Sequence, residues 1–228
     1  MSKQTKFKVG IDSRSISLTG LLSALYVILS FIPISPFIGG SSILTLNLVI
    51  VPVIAILLKP IYALISSLIG VTIMFFLVPV ALANIFGVFV ILMPTIGSFI
   101  GSLLYHYRER SLPIVVPFFL LSINTFLYKT HALFWIIPHL IATFLTVPFV
   151  FCKLNERVKI LMSCFITTMS EQCVMMNLAS WYLNLPYEVF LAAFPFMIYE
   201  RLIATIGGFL ITTSIFIFLK QVKLKVYG

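Results

Sequence analysis

Residues 43–79 read ILTLNLVIVPVIAILLKPIYALISSLIGVTIMFFLVP, and Lys59 is the sole charge in that run. Bilayer hydrocarbon is ~30 Å thick and a helix rises 1.5 Å per residue, so a span takes roughly 20 apolar residues, with about 17 as the lower limit. The stretch after Lys59 meets that length and the stretch before it falls just short. Two membrane-crossing helices, about 43–58 and 60–79, are therefore expected on either side of Lys59, the first of them short.

The rest of the chain repeats this texture. Of its 228 residues, 61% are hydrophobic and 9% charged, against roughly 25% charge in a soluble domain. That leaves too little polar material for a water-facing shell. Further apolar segments fall at about 16–34, 82–105, 112–128, 131–152, 159–183 and 190–219. The expected fold is an all-α polytopic membrane bundle of about eight transmembrane helices over 16–219, flanked by basic tails at 1–15 and 220–228. Six spans are the alternative, reached by dropping the second and third segments together or the fifth and sixth together.

The loops give an independent check, because cytoplasmic loops are enriched in Lys and Arg. With eight segments, one side collects Lys3, Lys6, Lys8, Arg14, Lys59, Arg108, Arg110, Lys153, Arg157, Lys159, Lys220, Lys223 and Lys225, thirteen of the fifteen basic residues. The other side holds Lys129. A multi-pass protein of the cell membrane with both termini in the cytoplasm follows. The net charge of +9 is then a topology signal and a contact to anionic lipid, and no nucleic-acid partner is expected. The basic stretch before the first segment lacks a small-x-small cleavage site and is expected to stay as a tail.

Cys152, Cys164 and Cys173 have no metal-type spacing and are expected to be buried, inert thiols. Prolines at 52, 60, 94, 117, 138, 148 and 195 each remove a backbone donor, so kinked or broken helices are expected. Small residues recur four apart as Gly20 with Ala24, Gly97 with Gly101, and Ala204 with Gly208, a spacing that lets helices approach closely.

An ionisable group inside a span needs a partner, since a centrally placed charge costs about 2.5–3.5 kcal/mol to insert. Glu171, in TTMSEQCVMMN, and Glu200 with Arg201, in FPFMIYERLIATIGG, meet that description. If the last helix begins near Pro195, Arg201 lies ~9 Å shallower than Glu171, close enough for a bridge between adjacent helices. Glu200 and Arg201, about 100° apart on one helix, are expected to face different partners. These three are the leading candidates for polar substrate contacts, with Asn47, Asn84 and Gln172 as further ones. Asn124 and Asn177 read as interhelical glue.

His106, His131 and His139 are not spaced to share a helical face, so no metal site is expected. No nucleophile elbow, HExxH or phosphate-cradling glycine loop occurs, so neither catalysis nor a nucleotide or other cofactor is expected. The HYRER loop at 106–110 is the single crude candidate for interfacial chemistry.

Three stretches resemble the substrate-binding (S) component of energy-coupling factor (ECF) transporters: SLTGLLSALYVILSF at 17–31, LNLVIVPVIAILLKPIYALISSLIG at 46–70, and FPFMIYERLIATIGGFL at 194–210. The resemblance implies six spans and a vitamin or similar small polar substrate bound near the outer surface. It also implies a lid made by the first loop, here Pro33 through Ser42, and docking of a transmembrane coupling protein on a small-xxx-small motif, here Gly20 and Ala24. Transport would be energised by separate ATPase subunits. Two other classes stay open: a structural or assembly subunit of a larger membrane complex, and a polytopic enzyme acting on lipid.

Overall fold

The computed structural model describes residues 13–36, 43–78 and 85–221. Among them are eight α-helices: α1 (Ser13–Ser30), α2 (Ile50–Leu57), α3 (Pro60–Leu77), α4 (Leu92–Tyr107), α5 (Leu112–Thr130), α6 (Leu133–Phe151), α7 (Glu156–Asn177) and α8 (Tyr187–Gln221). A short antiparallel hairpin, β1 (Pro33–Pro36) with β2 (Ile43–Thr45), follows α1, and one 3-10 turn over Leu46–Val49 leads into α2. Each expected segment thus corresponds to one helix, seven of them long.

Side-chain contacts fix the direction of each helix. Ser66 of α3 donates to the Thr19 carbonyl of α1, and Gly70 lies against Tyr26, so α1 and α3 are parallel. Ser98 meets Ser67, and Ser102 donates to the Leu58 carbonyl, so α4 runs back against α3. Gly97 and Gly101 of α4 lie against Glu171 and Thr167, making α7 antiparallel to α4. Thr168 meets Thr205, and Glu156 pairs with Lys220 at 2.6 Å, making α8 antiparallel to α7. Lys59, Arg108, Arg110, Lys153, Arg157, Lys159 and Lys220 therefore gather at one end of the bundle, the basic end, as the loop sorting required. Lys129 lies at the opposite end, where its ammonium sits 5.5 Å from the Trp181 ring.

The second segment is shorter than a span, and its surroundings explain why. From Ile50 to Leu58 every residue is buried. The helix packs inside the ring of α1, α3, α4, α7 and α8. A helix that never meets lipid need not match the hydrocarbon thickness. Hydrogen bonds from Leu46 N–H to the Ile32 carbonyl and from Ser102 to the Leu58 carbonyl still carry the chain from the hairpin to the basic end.

The opposite situation holds at α7. Among the described residues five stretches are long and apolar enough to cross a membrane, and α7 is not among them. Ser163, Thr167, Thr168, Ser170, Glu171 and Gln172 are all buried, so its polarity faces protein rather than lipid. The outer surface is apolar instead: Phe76, Phe144 and Leu121 are 77%, 72% and 64% exposed. Such a surface has the bilayer as its solvent, and this is a membrane protein.

The prolines do not break the helices as expected. Pro60 occupies the first turn of α3, where no N–H is missed. The helices run on through Pro117, Pro138, Pro148 and Pro195. The true interruptions are the reversal at Arg108, where φ is +42°, and a π-type turn over Leu178–Tyr182 that widens the end of α7.

Candidate functional site

Charge, packing and shape converge where α7 meets α8. Helix α8 begins at Tyr187, eight residues before Pro195, so Arg201 lies ~21 Å along it and near its middle. The depth gap expected between Arg201 and Glu171 disappears, and the Arg201 guanidinium reaches Glu171 at 3.1 Å. The same nitrogen, Nη1, donates to the Thr168 carbonyl at 3.2 Å. Its Nη2 turns back to Glu200 at 3.5 Å, so the two neighbours do face one another, against expectation. The long guanidinium arm closes an angle that short side chains could not. That last contact is at the limit of hydrogen-bond length, and the Glu200 carboxylate is the least satisfied of the three groups.

All three side chains are nearly sealed from solvent, at 8% exposure or less. Two carboxylates and one guanidinium sum to a formal charge of −1. On its α4 side Glu171 is backed by a glycine. A Cβ on Gly97 would stand 2.8 Å from Glu171 Cβ, so only glycine lets α4 press on the backbone of α7 there. The Gly97–Gly101 pair is thus internal packing. So is the Ala204–Gly208 pair, with Ala204 fully buried and Gly208 against Pro52.

Beside this triad is a cavity of about 480 Å³ between α6, α7 and α8. Glu200 lines its inner wall, Glu188 its outer part, and Ala179 of the π-type turn borders it. Along α8 the distance from Glu188 to Glu200 is ~18 Å, so the cavity runs from the end opposite the basic cluster toward mid-bundle. Its walls are otherwise apolar and rich in rings: Phe86, Trp135, Phe190 and Phe196. Trp135 is 2% exposed, and its indole N–H has no hydrogen-bond partner.

The candidate contacts divide accordingly. Glu200 lines the cavity, whereas Glu171 and Arg201 stand behind it. Gln172 is fully buried, with neither amide atom partnered. Asn47 lies below the hairpin, accepting from Thr45 at 2.7 Å, and is not part of the cavity wall. Asn84 and the loop centre at 37–42 lie outside the described residues. The lid expected at Pro33 through Ser42 falls largely on those undescribed residues. Sequence reasoning missed Trp135 and Glu188. An indole inside an apolar segment and a carboxylate at its edge were the available signals, but each is common enough to pass as core or headgroup contact.

Gly20 and Ala24 are exposed on α1, and a Cβ on Gly20 would meet nothing within 4 Å. Arg108 of the HYRER loop donates to the Phe149 and Val150 carbonyls, capping α6. Cys164 and Cys173 are buried, but Cys152 is exposed where α6 ends, a departure from the expected burial. Among the described residues no group of three His, Cys, Asp or Glu side chains could hold a metal ion.

Fold and site together define a class: a polytopic helical membrane protein with a buried Glu–Arg–Glu triad beside a ring-lined cavity. Compared with protein-family models, curated proteins and solved structures, the chain matches none.

Proposed function

We propose that this chain is the membrane-embedded substrate-capture subunit of an ECF-type importer for a vitamin-like small molecule, oriented with both termini and the basic end in the cytoplasm. The observation that carries the reading is the cavity of about 480 Å³ reaching mid-bundle from the end opposite the basic residues, with Glu200 in its wall. That volume lies within the range of small-molecule sites, roughly 300–1,000 Å³. The positive-inside rule turns that end outward. The substrate would enter there and be handed inward when a coupling protein and ATPase subunits reorient the chain, which itself catalyses nothing. Differential affinity between outward and inward states is the energetic requirement.

Gly20 and Ala24 supply a flat, unfilled strip on α1 for the coupling protein, in line with the resemblance of residues 17–31 to S components. The same strip also favours the second reading, an assembly subunit that docks on a larger membrane complex without binding a ligand. The lipid-enzyme reading finds no support in the HYRER loop, whose Arg108 is engaged in capping.

The two readings separate in one purification. The full chain is affinity-purified from its native membrane and analysed by native mass spectrometry. Substrate capture predicts a retained small molecule and co-purifying ATPase subunits that a Gly20→Leu variant loses while remaining folded. Stoichiometric association with another membrane complex, with neither small molecule nor ATPase, would assign the assembly role instead.

A further inference from the structure

The cavity's chemistry narrows its ligand beyond the capture reading on which this inference rests. Both charged residues in the wall, Glu188 and Glu200, are acidic. The cation beside it, Arg201, commits Nη1 to Glu171 and the Thr168 carbonyl and Nη2 to Glu200 and is not part of the wall. Among the described residues no basic side chain lines the cavity to meet a carboxylate or phosphate. The triad's formal charge of −1 is buried, where an uncompensated charge is costly and a cation alongside offsets the cost. Four aromatic side chains border the same space, and ring faces attract cations through their quadrupoles. The Trp135 N–H, buried and unpartnered, adds a donor for one acceptor atom.

We propose that the ligand is an organic cation: a compact, largely apolar body bearing one ammonium or protonated ring nitrogen, seated with its charge at Glu200 and its body among Phe86, Trp135, Phe190 and Phe196. The expectation of a generally polar substrate is thereby sharpened to an amphipathic one. Glu171 and Arg201 act as positioning residues, holding Glu200 at the wall rather than touching the ligand.

Equilibrium dialysis of the full chain in lipid nanodiscs, corrected against empty discs, tests this with three probes of similar size. These are benzyltrimethylammonium, neutral phenylacetamide and anionic phenylacetate. The cation is expected to bind roughly tenfold or more tightly than either other probe. Glu200→Gln should erase that preference. If Glu200→Gln does not fold, Glu188→Gln, at an exposed position, is expected to reduce cation affinity by a smaller factor. Equal or tighter binding of the neutral or anionic probe overturns the cation assignment and leaves substrate capture standing. Retention of none of the three probes, together with no small molecule in the native purification, overturns both.

Discussion

The two halves of the bundle are packed by different means. In α1 to α4, small hydroxyl side chains stitch helix to helix: Ser23 bonds the Ser66 carbonyl at 2.9 Å, and Ser67 meets Ser98 at 2.6 Å. Helix α2 is enclosed by these neighbours together with α7 and α8. In α5 to α8, ring contacts such as Phe126 against Phe190 at 5.0 Å and Trp135 against Phe190 at 5.3 Å stand beside the Thr168–Thr205 and Glu171–Arg201 bonds. Small hydroxyl residues let backbones close up and leave no room, whereas large rings hold helices apart and leave a cavity where they do not interlock. The cavity lies mainly in the half built from bulky residues, and the half stitched by small ones is the scaffold.

The triad should respond most to substitution. Arg201→Ala leaves two carboxylates buried without their cation and is expected to cost about 3–5 kcal/mol, read as a large drop in the thermal midpoint in detergent. The double variant Arg201→Leu, Glu171→Leu should recover much of that loss, because it removes charge and partner together. A double variant no more stable than the single one would contradict a mutually compensating pair. Next comes the boundary between the halves. Gly97→Ala places a methyl against Glu171 Cβ and is expected to destabilise by roughly 1–3 kcal/mol, whereas Gly20→Ala, facing open space, should change the midpoint very little. Smallest is Ser23→Ala in the scaffold, expected to cost about 0.6 kcal/mol, the mean for intramembrane hydrogen bonds. A much larger effect would mean that the serine contacts act as a cooperative network.

Much of the fold was legible in the sequence because lipid imposes a strict length and charge rule. Eight apolar runs and a one-sided set of basic residues give the helices, their order and their common basic end. The rule fails where a helix does not meet lipid. Helix α2 is shorter than a span because its neighbours are protein, and α7, expected as a segment at 159–183, is more polar than lipid would allow for the same reason. The start of α8 was misjudged because Pro195 reads as a helix beginning, yet its missing N–H is tolerated within a continuous helix. The candidate site was half legible. Burial cost singles out Glu171, Glu200 and Arg201, and the structure brings all three together. Which of them meets the cavity depends on rotation of α8 and on rings contributed by α6, and hydropathy carries neither.

The central claim is that the ring-lined cavity opens on the side away from the basic end and holds a ligand. A single cysteine at Ala193, in the cavity wall, with Cys152, Cys164 and Cys173 replaced, tests it directly in intact cells. The account predicts labelling by a membrane-impermeant maleimide added outside, slowed by benzyltrimethylammonium. Labelling only from the cytoplasmic face of inverted vesicles, or an unchanged rate with the cation present, would contradict it.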